Sequence, residues 1–338
     1  MASSLRLKVS EDAMDEQRLL YLSQEDVSAT GLTMKRIIEE LEVAFKEKGE
    51  GRVEMPPKPG IHPGGGDNFI HAMPAYIPLL KSAGIKWVSG FPDNSKKGLP
   101  YISGLLILND PQTGLPKSVM DCVWITAART GAATAVSAKY LARQDSKTVG
   151  VLGCGVQGRS NVEALVELFR LETVKAFDVS DRAASTYSTE IHERFGLDVV
   201  VVESPREAVK GCDIVITAGS ILKKPHATIK KGWLEEGAFA SLVDFDSYWH
   251  PDAMSEAAKF CTDDTTQLRH YQQIGYFQDI PEVYADLGEL ASGKKPGRET
   301  SEERTMTVNL GLAMDDMAVA PLIYEKAVEN NIGTWLPL

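Results

Sequence analysis

The feature that most constrains this chain is a glycine-rich hexapeptide between a predicted strand and a predicted helix. Residues 153–158 form a G-x-G-x-x-G pattern, preceded by the apolar run TVGVL and followed by NVEALVELFR. In this setting the first glycine permits a tight turn, the second lets a phosphate approach the backbone, and the third lets helix and strand pack closely. The pattern predicts a dinucleotide bound at the helix N-terminus. The expected contacts are Gly153, Gly155, Val156, Gln157 and Gly158.

Strand and helix patterns alternate from residue 148 onward. Strand-like segments VKAFDV, LDVVVV and DIVITAG are separated by helical ones, and AFASLVDF and AAKFCTDD follow later. Continuous apolar strands that alternate with helices predict a doubly wound parallel sheet of the Rossmann kind. Asp178 ends the second strand, 20 residues after Gly158. An acid there binds ribose hydroxyls and disfavours a 2′-phosphate, so we expect NAD. NADP stays open, because Arg182 lies close by in sequence.

The composition restricts the classes of molecule that this protein is expected to bind. The 338 residues include 36 Lys and Arg against 47 Asp and Glu, a formal net charge of −11, which disfavours nucleic acid and anionic membranes. No apolar run is long enough to span a bilayer, and the first sixteen residues lack the apolar region of a secretion signal. The four cysteines form no CxxC pair, and the histidines show no metal-binding spacing. We therefore expect a cytoplasmic protein with reduced thiols and no metal.

The first 135 residues follow a different pattern. Ser23 and Asp26 have the spacing of a capping box, and Thr33 is placed to cap a longer amphipathic helix. Three strands with short connections are predicted next, in NFIHAMPAYI, GIKWVSGF and YISGLLILND. Strands joined in this way predict a mostly antiparallel sheet. A helix rich in small residues is expected over 123–143. The chain ends in an amphipathic helix, which Pro321 is expected to kink or divide.

These segments, in this order, resemble the ornithine cyclodeaminase/mu-crystallin family over essentially the whole chain. The resemblance rests on MPAYIP…GIKWVSGFPDN, GLPYISGLLILNDPQTGLP, ITAARTGAATAVSAKYLAR, VGVLGCGVQG, AVKGCDIVITAGS, GWLEEGAF…VDFD and GKKPGR…GLAMDD. It implies an α/β protein with a Rossmann NAD(P)-binding domain over 136–311. A discontinuous α+β substrate and dimerisation domain is expected from 1–135 with 312–338. The resemblance also implies a homodimer and a small amino or imino acid substrate.

Three charged residues match the family's catalytic groups. Arg129 corresponds to the arginine that binds the substrate carboxylate, and its uncharged neighbours indicate a charge in need of a partner. Lys86 corresponds to the active-site lysine, and its apolar strand predicts a lowered pKa suited to proton transfer. A strand lysine that faces water is the alternative. Asp246 corresponds to the catalytic aspartate, although Asp244 competes with it for that role.

Other positions are expected to line the substrate and the cofactor. Lys58 stands where many relatives carry arginine, so it offers a point charge rather than a planar fork. His71 replaces the glutamate that the resemblance assigns to the side-chain amine of ornithine, which argues against that substrate, although a simple strand histidine stays the alternative. Met73 is expected to pack against the substrate or the nicotinamide. Further cofactor contacts are expected at Thr130, Ala218, Asp246 and Asn309.

Three functions follow from the resemblance. We favour an NAD(P)-dependent oxidoreductase that transfers hydride at the α-carbon of an amino or imino acid, as an imine or ketimine reductase or an amino-acid dehydrogenase. The second is a cyclodeaminase-type lyase that releases ammonia and recycles NAD internally. The third is a non-enzymatic protein that binds a nicotinamide cofactor or another small ligand. The substrate side chain and the amine donor stay open.

Overall fold

The structure, a computed structural model, describes residues 18–338, so the segment examined for a secretion signal lies outside the described residues. Strands β2 to β6 are successive antiparallel neighbours, whereas β1 runs parallel to β6. Their bounds are β1 (Arg18–Leu22), β2 (Gly60–Ile61), β3 (Phe69–Ile77), β4 (Ser82–Gly90), β5 (Ile102–Asn109) and β6 (Pro116–Asp121). The mostly antiparallel sheet predicted for this region is confirmed.

A second sheet, between residues 148 and 308, has only parallel neighbours. Its strands are β7 (Thr148–Leu152), β8 (Thr173–Phe177), β9 (Asp198–Val201), β10 (Ile214–Thr217), β11 (Phe239–Leu242), β12 (Lys259–Thr262), β13 (Ala285–Asp286) and β14 (Thr305–Val308). They lie in the order β13-β12-β14-β11-β10-β7-β8-β9. The order turns back between β7 and β10, and ligands of such sheets bind beyond the strand ends at this point. The predicted doubly wound fold is confirmed.

Helices cover both sheets. Within residues 18–338 they are α1 (Gln24–Ala29), α2 (Met34–Gly49), α3 (Val123–Leu141), α4 (Val156–Leu165), α5 (Asp181–Phe195), α6 (Pro205–Val209), α7 (Pro251–Met254), α8 (Thr265–Gln273), α9 (Leu287–Ala291) and α10 (Ala313–Glu329). Ser23 and Asp26 form the expected capping box on α1, and the Thr33 side chain caps α2. Each helix of the described chain is too short or too polar to cross a bilayer.

The end of the chain returns to the first sheet. Helix α10 packs on β3, β4 and β5, and the last strand, β15 (Thr334–Pro337), pairs antiparallel with β1. The helix continues through Pro321, so it is not divided there. Buried residues on both sides of the proline, among them Val319 and Ile323, pack the two halves into the same core, and this burial outweighs the missing hydrogen bond.

Helix α3 joins the two sheets. It contacts α2 and α10 on one side and α4, β11 and β14 on the other. At the crossing with α4, a Cβ on Gly131 would meet the Ser160 carbonyl oxygen, so glycine is required for this close approach. The expected domain boundary after residue 135 falls inside this helix. The division into two domains therefore stays a prediction.

Candidate active site

The three glycines of the hexapeptide are required for different reasons. Gly153 has a φ of +104°, and a Cβ there would lie 2.5 Å from the Ala218 carbonyl oxygen. A Cβ on Gly158 would lie 2.3 Å from the Gly153 carbonyl oxygen. A Cβ on Gly155, by contrast, would have no heavy atom within 4 Å. The first and third glycines thus pack against protein, while the second borders open space, which fits a dinucleotide pyrophosphate.

Asp178 lies beside this loop at the end of β8. Its Oδ2 accepts a hydrogen bond from the Cys154 amide at 2.8 Å, and its Oδ1 accepts one from the Ser180 amide at 2.9 Å. Each carboxylate oxygen has a second lone pair available for a ribose hydroxyl. Helix α4 begins at Val156, so its N-terminal amides also face the crevice. The residues present therefore fit the adenosine and pyrophosphate parts of NAD.

Three other expected cofactor contacts lie on or beside elements of the parallel sheet. The Thr130 hydroxyl donates to the Thr126 carbonyl oxygen within α3, at 2.7 Å. The buried Asn309 amide donates to Thr134 and Ser241 at 3.4 and 3.3 Å, and so links the end of β14 to α3 and β11. Ala218 directly follows β10 at the same edge of the sheet. Their contacts with a cofactor stay predictions.

Lys86 and Arg129 are both buried, and two acids from α10 face them. The Lys86 ammonium is 0% exposed and lies 2.8 and 2.7 Å from the two carboxylate oxygens of Asp316, with the Thr126 hydroxyl at 3.3 Å. Arg129 Nη1 lies 3.4 Å from Asp315 Oδ2, and Arg129 Nε lies 3.5 Å from Asp316 Oδ1. Burial lowers the pKa of Lys86, Asp316 raises it and Arg129 lowers it again. The water-facing alternative for Lys86 is wrong.

Lys58 joins this group from the loop before β2. Its ammonium donates to the carbonyl oxygens of Leu310 and Gly311 at 2.8 and 3.0 Å, and it lies 5.2 Å from the centre of the Tyr271 ring. Burial, and then repulsion from Arg129, lower the pKa of Lys58. The backbone therefore satisfies part of the charge that was expected to contact the substrate carboxylate.

Asp263 is the acid that opposes the positive charge of Lys58. Its Oδ2 accepts a hydrogen bond from the Gly311 amide at 2.9 Å, so one short segment bonds to both Lys58 and Asp263. Burial raises the pKa of Asp263 to about 6, while backbone hydrogen bonds and Lys58 oppose that rise. A Cβ on Gly311 would meet the Arg129 guanidinium, which shows how closely the segment lies against the arginine.

The two acids of the VDFD segment have different surroundings. Asp244 is occupied, because its oxygens accept from the Thr217 hydroxyl at 2.6 Å and the Gly219 amide at 2.8 Å. Asp246 Oδ1 is buried and has no hydrogen-bond partner among the described residues. Burial raises the pKa of Asp246 to about 6. Between them, Phe245 adopts a φ of +64°, which turns the chain sharply. Asp244 holds the loop after β10, whereas Asp246 keeps one carboxylate oxygen without a protein partner.

Aromatic contacts connect Asp246 with the cation cluster. The ring of the adjacent Phe245 lies 5.0 Å from the Tyr271 ring, over which the Lys58 ammonium is placed. Strands β11 and β14 are parallel neighbours, so the segments that follow them leave the sheet at the same edge. Asp246 follows β11, and the carbonyl groups that bind Lys58 follow β14. The segments that carry the acid and the groups bound to Lys58 therefore lie at the same edge of the sheet.

Met73 and His71 lie on β3 beside these groups. Met73 is buried and directly opposite Lys86 in the strand register. His71 stacks on Phe69 with ring centres 4.4 Å apart. Burial, and then the charge of Lys58, lower the pKa of His71 to about 3, so the imidazole is neutral near pH 7. It supplies no fixed charge for a substrate amine.

The predicted site residues thus fall into two groups. One group lies around the first sheet and α3 and contains Lys58, His71, Met73, Lys86 and Arg129. The other lies along the ends of the parallel strands and contains the glycine loop, Asp178 and Asp246. Sequence reasoning missed four residues of this region. They are Asp263, Tyr271, Asp315 and Asp316. The last two gave a usable signal, because two adjacent acids within the apolar stretch GLAMDDMAVA need buried partners.

A doubly wound sheet with this glycine loop defines a dinucleotide-binding α/β protein. Comparison with known proteins refines that class. The chain belongs to the ornithine cyclodeaminase/mu-crystallin family, whose profile matches residues 18–331. The expected family is therefore confirmed.

Three relatives cover nearly all of the chain. It is 37% identical to the alanine dehydrogenase of Archaeoglobus fulgidus over 323 residues, which is 93% of this chain and 97% of the relative. A structure of Thermococcus litoralis Δ1-pyrroline-2-carboxylate reductase in complex with NADH and L-proline is 34% identical, with a TM-score of 0.84 and coverage of 94% and 99%. An archaeal alanine dehydrogenase dimer with bound NAD has the same identity, TM-score and coverage.

The open space at Gly155 predicts that fold and cofactor binding can be separated. We expect Gly155→Ala to leave the free energy of unfolding within about 0.5 kcal/mol of wild type, because its Cβ meets no protein atom. NADH binding should weaken, because the methyl group occupies the path of the pyrophosphate. The matched variant Gly158→Ala should lose both stability and binding. Denaturant unfolding and NADH fluorescence titration measure the two effects, and unchanged NADH affinity in Gly155→Ala would contradict this cofactor position.

Proposed function

We propose that this protein is an NAD-dependent oxidoreductase that transfers hydride at the α-carbon of an amino acid or of the corresponding imino acid. The observation that carries the proposal is the buried Arg129 and Lys86 beside a crevice that fits a dinucleotide. The relatives named alanine dehydrogenase and Δ1-pyrroline-2-carboxylate reductase support the same class of reaction. NAD, when bound, accepts or supplies the hydride. Asp178 beside the glycine loop supports NAD over NADP.

Arg129 binds the substrate carboxylate in this proposal. A guanidinium presents planar pairs of N–H groups that match the two oxygens of a carboxylate. Arg129 Nε makes no hydrogen bond within the described part of the chain. The ion pairs of the guanidinium are long, at 3.4 Å from Nη1 to Asp315 and 3.5 Å from Nε to Asp316. The guanidinium therefore has bonding capacity left for a ligand. Lys86 adds a second positive charge on the same side, and Lys58 a third, partly satisfied one.

Asp246 and Lys86 handle protons at the substrate nitrogen. Asp246 has a buried oxygen without a partner and a pKa raised to about 6, which suits a group that takes and returns a proton near neutral pH. His71 is neutral near pH 7 and so offers no negative charge to a second amine, which favours a substrate with an uncharged side chain over ornithine. Positioning by the cations and proton transfer by Asp246 together supply the protein's contribution to the rate.

The protein acts as a homodimer in this proposal, with the open face of the first sheet as its interface. Trp87 and Leu105 are direct neighbours on β4 and β5, and they are 48% and 45% exposed. Side chains alternate along a strand, so both lie on the face opposite to the one that α10 covers. Exposed apolar patches of this kind mark association surfaces. The archaeal alanine dehydrogenase, a dimer, supports a second copy of this chain as the partner.

Loss of Arg129 should remove carboxylate recognition. We expect wild type to consume NADH steadily with a 2-oxo acid plus ammonia or with a cyclic imino acid. In Arg129→Ala, kcat/KM should fall by about 10²–10³-fold, because a buried charge-assisted contact is lost. The exposed Arg170→Ala serves as control and should retain activity. NADH affinity should be unchanged in both variants.

Two outcomes of this assay contradict the proposal. Retention of the wild-type kcat/KM in Arg129→Ala would exclude this residue as the carboxylate ligand. Ammonia release from a diamino acid with no net change in NADH would identify a lyase instead of an oxidoreductase. NADH binding without turnover of any amino or imino acid would indicate a binding protein.

The pKa of Asp246 predicts the pH dependence of the rate. In the oxidation of an amino acid the carboxylate form accepts a proton, so kcat/KM should rise with pH through about 6. In the reduction of an imine the protonated form is required, so the rate should fall across the same interval. In Asp246→Asn this change of rate with pH should be absent in both directions of the reaction. Initial rates at fixed NAD or NADH across pH measure it, and an unchanged limb in the variant would assign the titration to another group.

The dimer surface is tested by adding charge to it. We expect Trp87→Glu to give a folded monomer, because two carboxylates would be buried against apolar side chains in each dimer. Val200→Glu is the matched control, since Val200 is 43% exposed at the edge of the parallel sheet on β9. Light scattering during size-exclusion chromatography measures the mass. A dimeric Trp87→Glu variant would rule out this face.

A further inference from the structure

Two adjacent acids begin helix α10, and both are 0% exposed. Asp315 Oδ2 accepts a hydrogen bond from the Leu312 amide at 2.9 Å, which closes the first turn of the helix. A carboxylate in this turn also interacts favourably with the helix dipole. These local contacts explain Asp315 at the helix start. They leave Asp316, one residue further on, without a role in the capping of the helix.

Asp316 is instead directed at the two cations of the active site. Both of its oxygens lie within 2.8 Å of the Lys86 ammonium. Its Oδ1 also lies 3.5 Å from Arg129 Nε. One carboxylate therefore contacts a lysine from β4 and an arginine from α3, and these two elements are linked through it. The Thr126 hydroxyl, 3.3 Å from the ammonium, completes the fixed surroundings of Lys86.

We propose that Asp316 is a positioning residue, which holds the Lys86 ammonium and the Arg129 guanidinium in one arrangement toward the substrate carboxylate. The role toward a substrate carboxylate rests on the proposed function, whereas the pairing of Asp316 with Lys86 does not. Asp316 has two effects on Lys86: it fixes where the ammonium lies, and it favours the protonated form, which burial disfavours. Asp315 supports the same arrangement, since it joins Arg129 to the start of α10.

The charges around Lys86 decide what removal of Asp316 would do. The titratable groups near Lys86 come from three parts of the chain. They are Asp316 from helix α10, Cys122 and Arg129 from the start of α3 and from α3 itself, and Lys58 from the loop before β2. The nearby His71 on β3 is neutral. Without Asp316 the cations Arg129 and Lys58 remain near Lys86, while Asp315 is paired with Arg129 and burial raises the pKa of the Cys122 thiol to about 11, so that the thiol is uncharged near pH 7. Burial also disfavours the charged form of Lys86. The pKa of Lys86 must then fall, so the amine loses its proton at a lower pH.

The direct test measures the pKa of Lys86 by NMR in protein labelled with ¹³C at the lysine ε-carbons, without substrate. Lys86→Arg assigns the signal by its loss. We expect Asp316→Asn to lower this pKa by about 1–3 units, which is the usual influence of an opposite charge within a few ångströms. Glu325→Gln removes the same charge from the exposed side of α10 and should leave the pKa unchanged. An unchanged pKa in Asp316→Asn would overturn the proposal.

A kinetic measurement separates positioning from a merely structural role. The ammonium is the form that binds a carboxylate, so kcat/KM should decrease above the pKa of Lys86. In Asp316→Asn this alkaline limb should move to lower pH by the same interval as the NMR titration. A purely structural defect would lower kcat/KM equally at every pH and leave the limb in place. Lack of turnover in wild type would refute the proposed function, whereas the NMR result would still decide the pairing.

Asp316→Asn risks unfolding, because it leaves a buried lysine without its counter-charge. The double variant Lys86→Met with Asp316→Asn addresses this case, since it removes both charges. If the two groups are partners, the double variant should unfold at a higher denaturant concentration than Asp316→Asn alone. Equal or lower stability of the double variant would show that Lys86 is not the group that depends on Asp316.

Discussion

Burial of positive charge is the constraint on which the rest of this structure depends. Lys86 and Arg129 are buried, and Lys58 is half-buried, where the first sheet meets the ends of the parallel strands. Charges removed from water are costly unless partners replace the lost hydration. The fold supplies these partners from distant parts of the chain: Asp263 follows β12, and the acidic pair begins α10. The return of the chain end to β3–β5 therefore serves electrostatics as well as packing.

The same principle separates the two acids of the VDFD segment. Asp244 and Asp246 are two residues apart and both buried, yet the turn at Phe245 directs them to different surroundings. Hydrogen bonds to the β10 loop use the oxygens of Asp244, while Asp246 keeps an oxygen without a partner. Residues of one type acquire different roles through their environments. Burial raises the pKa of both groups, so the difference lies in their hydrogen bonds. A carboxyl group with an oxygen free of protein partners is suited to proton transfer, and an occupied one is suited to holding a loop.

Local patterns allowed much of this fold to be predicted. The glycine hexapeptide, the alternating strands and helices and the capping box at Ser23 each involve residues close together in sequence, and each was found where expected. Pro321 shows the limit of such rules, because burial on both sides keeps α10 in one piece. The Lys86–Asp316 pair shows another limit. Its members are 230 residues apart, and only the packing of α10 on β4 brings them together.

Counting charges in this cluster indicates how an acidic protein could select a carboxylate, as the proposed function requires. The chain carries a net charge of −11, so its overall field repels anions. Within the cluster, three cations face Asp263, Asp315 and Asp316, so the six groups are balanced when all are ionised. In that state net attraction contributes little to binding of a carboxylate. Selection must depend on where the N–H groups point, because fixed dipoles and charges in a site that excludes water act strongly at short range. The buried acids keep the cations from attracting anions indiscriminately, and they hold the donors in the geometry that a carboxylate requires.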